Sequence, residues 1–193
     1  MSLIDNYKKY KWFYTNSGKL VVGGKNAVQN EEMLHLTKKE KKDFIVMHTS
    51  SPGSPFSIIL DNIKKISKND LEETAVFTAC FSQAWKSGKK TADVDIFRSS
   101  QLNKPGKAKV GTWQVLGEVE TVTVPLELVL TRQEGVLRAV PEKTVKKGIL
   151  KILPGKLRKD EIITKIQLSV KESLSQEELF SALPAGGIRI EKI

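Results

Sequence analysis

The sequence is poor in the side chains that most metal centres and many enzymes use. Its 193 residues include one cysteine, Cys80, and two histidines. A disulfide needs two cysteines, and a structural zinc site takes four Cys or His ligands, so neither is expected. The glycine patterns of dinucleotide and triphosphate sites are absent too. We therefore assign no metal ligand, no cofactor and no catalytic residue.

Long apolar runs are also missing. The longest, such as residues 44–47 and 124–130, fall far short of the roughly 20 residues that a membrane-spanning helix requires. The first residues lack the apolar segment of a secretory signal. We therefore expect a cytoplasmic protein with no membrane partner, and its 39% hydrophobic residues suffice for a folded core.

Basic residues outnumber acidic ones. The chain has 32 Lys and Arg against 22 Asp and Glu, which gives a formal net charge of +10. Such an excess attracts polyanions, because binding releases their condensed counterions. Residues 142–171 alone hold nine basic and three acidic side chains. A solvated lysine-rich surface accounts for the same composition, so charge leaves both interpretations open.

Hydrophobic periodicity and turn residues predict alternating strands and helices up to about residue 125. The expected strands are 12–15, 19–22, 44–48, 57–60, 94–97 and 111–115, with residues 116–123 extending the last. The first two form a hairpin around Asn16-Ser17-Gly18. Two helices are expected, 26–37 capped by Asn26 and 70–86 capped by Asp70, the second with one apolar stripe.

The composition then shifts. We expect a hairpin from 124–130 and 135–140, a short helix after Pro141, a strand at 149–153 that Pro154-Gly155 ends, helices starting at Asp160 and Ser175, and a closing strand at 188–190. The predicted fold class is mixed α+β, with a largely antiparallel sheet and packed helices. Residues 1–125 are expected to form one domain, and residues 126–193 an α/β extension packed on the same core.

Gly23 and Gly24 lie between a predicted strand and a predicted helix. Glycines there can adopt positive φ and expose backbone amides, and a helix N-terminus favours phosphate. The polar residues that follow are Lys25, Asn26, Gln29 and Asn30. They suit a nucleic-acid ligand, but an ordinary capped strand-to-helix turn uses the same residue types.

His48 ends a predicted buried strand, beside a loop that contains Ser50, Ser51 and Ser54. A histidine near hydroxyl groups suits a general base. No nucleophile elbow accompanies it, however, and Cys80 lies within an apolar stripe. A hydrolase built around His48 is therefore a minor interpretation, after an RNA-binding protein and a protein-interaction adaptor.

Two further segments place basic residues at helix ends. Trp85 lies beside Lys86 after Ser82, and a tryptophan there either stacks on an unpaired base or fills the core. Lys156, Arg158 and Lys159 precede a predicted helix, where they face either phosphate groups or solvent.

Several of these segments, in this order, resemble the NFACT-R domain, an RNA-binding module of ribosome quality-control factors that also occurs as a stand-alone protein. The similar segments are residues 12–14 with Gly18, 20–31, His48 with 53–55, 79–86 and Lys104. They cover about residues 10–125. The resemblance implies a mixed α+β domain that contacts transfer RNA or ribosomal RNA and has no catalytic residues.

The sequence thus predicts a non-enzymatic RNA-binding protein of translation or ribosome quality control, with transfer RNA or ribosomal RNA as its partner. The Gly23-Gly24 turn, the His48 loop and the end of the helix at Trp85 are expected to line one face. The predicted nucleic-acid-binding residues are Gly23, Gly24, Lys25, Asn26, Gln29, Asn30, His48, Ser54, Ser82, Trp85, Lys86, Lys104, Lys156, Arg158 and Lys159. The alternative is a protein-interaction adaptor that docks on an acidic protein partner and has only generic affinity for polyanions.

Overall fold

The structure, a computed structural model, describes residues 2–193. Within that range the strands are β1 (Lys11–Tyr14), β2 (Leu20–Gly23), β3 (Ile45–Thr49), β4 (Ser57–Ile59), β5 (Thr91–Arg98), β6 (Leu102–Asn103), β7 (Gln114–Val115), β8 (Glu120–Pro125), β9 (Leu128–Gln133), β10 (Val136–Val140), β11 (Leu150–Leu157) and β12 (Ile188–Glu191). The α-helices are α1 (Ala27–Lys39), α2 (Lys68–Cys80), α3 (Gln83–Lys86), α4 (Lys159–Ser169) and α5 (Gln176–Ala182). Short 3₁₀ turns cover Ile4–Lys9, Ile63–Lys65, Ser99–Gln101 and Glu142–Thr144.

The strands form antiparallel sheets, which confirms the predicted α+β class. Six strands pair in the order β1-β2-β4-β3-β5-β8, and four pair in the order β10-β9-β11-β12. Strands β6 and β7 form a separate ribbon. The first sheet uses residues up to Pro125 and the second begins at Leu128, so the two sheets follow one another along the chain.

The first hairpin and the helix after it confirm the sequence prediction. Trp12 pairs with Val22 across the hairpin, and Gly18 supplies the positive φ (83°) that its turn needs. Asn26 caps α1, because its side chain accepts a hydrogen bond from Gln29 N. Strands β3 and β4 form where apolar runs predicted them, and α5 begins with the expected Ser175 and Glu178 capping box.

The predicted helix 70–86 is wrong in three respects. Its N-cap is Ser67, while Asp70 is the third helical residue and accepts from Ser67 N. The helix also breaks before α3, because Ser82 is extended (φ −104°, ψ 178°) and its hydroxyl bonds Ala79 O and Ala84 N. Nor is there a single apolar stripe. Residues 73–80 are all buried, because α2 lies between the first sheet and side chains of the second.

Other strand boundaries differ from the prediction where a glycine adopts a positive φ angle and starts a turn. Only Gln114–Val115 of the predicted strand 111–115 pairs, since Gly111 and Gly117 have positive φ and start turns. The second hairpin is β9–β10, with its turn at Glu134-Gly135, both at positive φ, while Val124 belongs to β8 of the other sheet.

The C-terminal part of the chain also differs from prediction. Strand β11 continues through Pro154-Gly155 with a register shift instead of ending there. Helix α4 begins after Arg158, whose N–H donates to Glu161 Oε2, so Asp160 lies in the first turn and is not the cap. The short helix after Pro141 and the closing strand β12 match their predictions.

The two sheets meet along the edge of β1. The side chain of Gln133 accepts from Tyr14 N at 2.8 Å and donates to Tyr14 O at 2.8 Å, as a neighbouring strand would. One hydrophobic cluster contains Phe13 of β1 together with Leu128 and Leu137 of the second sheet. The site described next is lined by residues of the first sheet and the loops around it. None of the helices in residues 2–193 has the length and apolarity to span a bilayer.

Candidate nucleic-acid interface

A cleft of about 680 Å³ opens where several loops meet at one end of the first sheet. Its walls come from the turn after β2, the loop between β3 and β4, the loop before β7 and the start of α3. The predicted residues that line it are Gly24, Lys25, Asn26, Asn30, His48, Ser54 and Lys86. The tertiary structure therefore brings together the Gly23-Gly24 turn, the His48 loop and the end of α3, as the sequence predicted.

Asn30 and Ser54 line the cleft, but their polar atoms hold its wall together. Asn30 Oδ1 accepts from Phe56 N at 3.1 Å, and its amide donates to Ser54 O at 3.4 Å. Ser54 Oγ accepts from Thr49 N at 3.0 Å and donates to Pro55 O at 3.0 Å. These two side chains shape the cleft and are already paired with backbone groups.

The turn at Gly23-Gly24 needs glycine for a different reason from the one expected. Neither Gly23 nor Gly24 has positive φ. Gly24 is required by close packing, because a Cβ there would lie 2.1 Å from Asn30 Oδ1 and 2.8 Å from Asn30 N. Gln29 Oε1 accepts from Lys25 N at 3.0 Å, so an amide expected to face phosphate is paired internally. The strand-to-helix turn interpretation fits these contacts.

His48 lines the cleft and carries a hydrogen-bond acceptor on its ring. Its Nδ1 lies 2.7 Å from Thr49 O, so Nδ1 carries the proton and Nε2 keeps its lone pair. Burial lowers the pKa of His48, against a smaller opposing effect of the Thr49 carbonyl. The ring packs 4.5 Å from the Phe56 ring. Neutral imidazole beside an aromatic face suits a nucleobase or a ribose hydroxyl.

The hydrolase interpretation gains no support from the surroundings of His48. Ser50 Oγ donates to Asp95 Oδ1 at 2.7 Å, and the Ser54 hydroxyl is paired with backbone groups. No hydroxyl or thiol within residues 2–193 forms a hydrogen bond with His48, so the described side chains offer it no activated nucleophile.

Lys104 is not among the residues that line the cleft, and its Nζ is already bonded within the protein. Its Nζ donates to Glu31 Oε2 at 2.8 Å and to the carbonyls of Lys109 and Thr112. Glu31 also accepts from Gly111 N and Trp113 Nε1. Burial would raise the pKa of Glu31, but these hydrogen bonds outweigh it and lower that pKa to about 2. The sequence did not single out Glu31, which fastens residues 104–113 to α1.

The structure corrects the roles predicted for Trp85 and Ser82. Trp85 is 1% exposed, and its Nε1 donates to Gly187 O at 3.2 Å. Ser82 is buried and caps α3. A ring enclosed on both faces cannot stack on a base, so Trp85 instead joins α3 to the loop before β12.

The basic residues around the start of α4 differ in their exposure to solvent. Lys156 and Arg158 are exposed, and Arg158 lies 3.5 Å from Asp160. Lys159 is half-buried, and its Nζ donates to Phe180 O at 2.6 Å and Leu183 O at 3.0 Å, so it caps the C-terminus of α5. Only the first two remain directed to solvent.

Two basic residues that the sequence did not indicate lie at the junction of the sheets. Lys11 Nζ is 4.2 Å from the Phe81 ring centre, and the Arg138 guanidinium is 4.0 Å from that of Trp12. Burial, with repulsion from Lys159, Lys25 and Arg138, lowers the pKa of Lys11 to about 7. The sequence signal that could have identified them is a basic residue inside a predicted β-strand, Lys11 in β1 and Arg138 in β10. We call Lys11, Lys25, Arg138 and Lys159 the cation cluster.

Comparison with known proteins identifies the family. The profile of the NFACT protein RNA binding domain matches residues 9–117. The chain belongs to this family. Its Val22–Glu31 segment and His48 loop, which carried the resemblance, both lie in the matched range and line the cleft in part.

Two relatives extend the comparison of this NFACT-R chain. The archaeal Rqc2 homolog aRqcH of Methanocaldococcus jannaschii is 31% identical over 199 residues, which cover 96% of this chain and 29% of that protein. The chain thus spans less than a third of this relative. A solved structure, the C-terminal part of the fibronectin/fibrinogen-binding protein from Streptococcus suis, is 26% identical with a TM-score of 0.53, covering 60% of this chain and 45% of that one.

The NFACT-R match divides the cation cluster. Lys11 and Lys25 lie within residues 9–117, whereas Arg138 and Lys159 lie beyond them. The relative from Methanocaldococcus matches nearly the whole chain, including the second sheet.

Proposed function

We propose that this chain binds structured RNA, either transfer RNA or ribosomal RNA, without catalysing a reaction on it, as part of ribosome quality control. The observation that carries the proposal is the composition of the cleft. Lys11, Lys25 and Lys86 line it, and among residues 2–193 none of the three forms an ion pair. Unpaired cations around a concave surface suit a phosphate backbone.

The interior of the cleft adds groups that suit nucleotides. His48 offers an acceptor nitrogen, and the rings of Phe81 and Trp113 line the walls. The carboxylate of Asp95, which would repel phosphate, accepts hydrogen bonds from the hydroxyls of Ser50 and Thr121. Aromatic faces and a hydrogen-bonding edge are the elements with which proteins bind unpaired bases.

The predicted binding residues divide into two roles in this proposal. Lys25, Asn26, His48 and Lys86 contact RNA directly, and the exposed Lys156 and Arg158 widen the positive surface. The others support the cleft wall or the core behind it and do not contact RNA: Gly23, Gly24, Gln29, Asn30, Ser54, Ser82, Trp85, Lys104 and Lys159. Their loss would reduce binding only where it deforms the cleft.

The division of the chain is also part of the proposal. Residues 1–125 form the RNA-binding domain, and residues 126–193 form an extension packed on the same core. The change from the six-stranded to the four-stranded sheet supports a boundary near residue 125. The hydrophobic cluster that both sheets share supports their packing as one body.

The test is the affinity for transfer RNA and for a ribosomal RNA fragment between about 50 and 200 mM salt, with polyglutamate as a competing polyanion. A double variant, Lys25→Ala with Lys86→Ala, should reduce the salt slope by up to about one unit for each phosphate group that the variant no longer neutralises. The matched control is Lys64→Ala with Lys65→Ala, which removes two exposed charges outside the cleft.

Two outcomes would contradict the proposal. One is an affinity that does not change with salt. The other is equal loss of binding in the cleft variant and the control, with polyglutamate displacing RNA completely. The second outcome would favour the adaptor that docks on an acidic protein.

A further inference from the structure

His48 and Asp95 are neighbours in the wall of the cleft. They are directly opposed in the antiparallel pairing of β3 with β5, and both line the cleft. Opposed residues of such a pair have their side chains on the same face of the sheet, with Cβ atoms about 4.5–5.5 Å apart. One ligand in the cleft can therefore contact both side chains.

The hydrogen bonds that these two side chains already make leave one acceptor free on each. The Nδ1–H of His48 donates to Thr49 O, so Nε2 keeps its lone pair. Asp95 Oδ1 accepts from Ser50 Oγ and from Thr121 Oγ1, both at 2.7 Å. Within residues 2–193 no group forms a hydrogen bond with His48 Nε2 or with Asp95 Oδ2.

Both free atoms can accept a hydrogen bond from a ligand, and neither can donate one. Burial lowers the pKa of His48, which keeps the imidazole neutral at neutral pH, and a carboxylate has only acceptor oxygens. The contact of the His48 ring with Phe56 holds one side chain, and the hydroxyls of Ser50 and Thr121 hold the other. Two neighbouring acceptors that are held in this way favour a ligand with two neighbouring donors.

Guanine is the RNA base whose Watson–Crick edge carries two adjacent donors, N1–H and the 2-amino group. Adenine and cytosine place an acceptor nitrogen beside their amino group, and uracil flanks its single N–H with carbonyl groups. Each of these bases would set an acceptor against His48 Nε2 or Asp95 Oδ2, which leaves a hydrogen bond unmade. In a duplex the guanine edge is paired with cytosine, so the base that offers it must be unpaired.

We infer that His48 Nε2 and Asp95 Oδ2 together bind the Watson–Crick edge of an unpaired guanine. The inference rests on the proposed function and adds a base preference to it. The lysines that line the cleft contact phosphate groups of any sequence, whereas these two acceptors distinguish one base from the others. The RNA that this cleft selects therefore carries a guanine in a loop or at a single-stranded end.

The first experiment measures affinity at fixed salt for RNA hairpins whose uridine loop contains one variable base. A guanine in the loop should bind about tenfold more tightly than adenine, cytosine or uracil. Inosine keeps N1–H and lacks the 2-amino group, so its affinity should lie between the two. Equal affinity for all the hairpins would overturn the inference and leave RNA binding in place.

The second experiment compares Asp95→Asn with Asp93→Asn. Asp93 lies two residues away on the same strand, accepts from Thr123 Oγ1 at 2.6 Å and does not line the cleft. The Asp95→Asn variant should lose most of the preference for guanine over adenine, because an amide offers a donor where the carboxylate offered an acceptor. The control variant should keep the preference. The ratio of the two affinities is the readout, since a merely structural role would weaken both equally and leave the ratio unchanged.

A third measurement uses guanosine monophosphate and adenosine monophosphate with the wild-type chain. The imidazole ¹⁵N signals of His48, assigned from their absence in His48→Gln, report a hydrogen bond to Nε2 directly. The guanine nucleotide should shift the Nε2 signal, and the adenine nucleotide should not. No shift with either nucleotide, or the same shift with both, would overturn the inference.

The results separate this inference from the proposed function. Hairpins that bind without a base preference would reject guanine recognition alone. Absence of binding to any RNA, with a His48 signal that still responds only to the guanine nucleotide, would reject the proposed function and identify free guanine nucleotide as the ligand.

Discussion

The guanidinium of Arg138 lies 4.0 Å from the centre of the Trp12 ring. Trp12 belongs to the first strand of the family-matched segment, and Arg138 to the sheet that follows it. The contact therefore joins the first sheet to the second. It also explains why a charged residue is tolerated in the middle of β10, since an aromatic face partly replaces water around the guanidinium.

Trp85→Phe should destabilise the protein without changing the affinity of the folded form for RNA. The substitution removes the hydrogen bond from Nε1 to Gly187 O and part of a buried ring. We expect a loss of about 1–3 kcal/mol in the free energy of unfolding, measured by denaturant titration. Weaker RNA binding at unchanged stability would instead support stacking by Trp85.

Gly24→Ala should lower stability because its Cβ would overlap Asn30 Oδ1, 2.1 Å away, and the backbone N of Asn30, 2.8 Å away. Overpacking of this kind costs about 1–3 kcal/mol. Gly106→Ala is the matched control, since nothing lies within 4 Å of a Cβ there. Equal thermal midpoints for the two variants would show that Gly24 is not required by this contact.

Glu31→Gln should loosen residues 104–113 and weaken RNA binding. The carboxylate accepts from Lys104 Nζ, Gly111 N and Trp113 Nε1, and the neutral amide loses the charge that strengthens these bonds. The amide of Gly111 should exchange faster with solvent, and RNA affinity should fall several-fold. Glu32→Gln removes an exposed pair with Lys9 on the same helix and should do neither. Unchanged exchange at Gly111 would refute the role of Glu31.

Asp70 should make stability depend on acid pH. It is 1% exposed. Burial would raise its pKa, but hydrogen bonds from Ser17, Thr15 and Ser67 outweigh this and lower the pKa to about 2. Because the folded pKa lies below the unfolded value, the contribution is complete above about pH 4 and disappears as the pH falls toward 2.

The measurement for Asp70 is the free energy of unfolding against pH for wild type and Asp70→Asn. The difference should be about 2 kcal/mol at neutral pH and should shrink between about pH 4 and 2. Asp160→Asn, at an exposed residue, should change stability by less than about 0.5 kcal/mol. A difference that stays constant with pH would show that the Asp70 charge does not act in this way.

Turn and cap residues in the sequence correctly predicted those elements whose ends are fixed by hydrogen bonds between residues close together in the chain. The β1–β2 hairpin and the start of α1 depend on Gly18 and Asn26, which act within a few residues of themselves. The prediction of one helix over 70–86 was wrong because the Ser82 hydroxyl makes local hydrogen bonds that interrupt the helix. A pattern of apolar residues does not reveal such a bond. The family resemblance located the cleft, since its segments supply the loops that meet there.

The fold class, the positive charge and the family of this protein follow from the order of its residues, because composition, periodicity and motifs are properties of the chain. Which basic residues form ion pairs depends on the tertiary structure. Lys104 forms an ion pair with Glu31, 73 residues away in the sequence. Lys159 donates hydrogen bonds to carbonyls at the C-terminal end of α5. Within residues 2–193, Lys11 and Arg138 form no ion pair and instead contact the rings of Phe81 and Trp12. Pairing depends on distance in space, which folding sets between residues far apart in the chain.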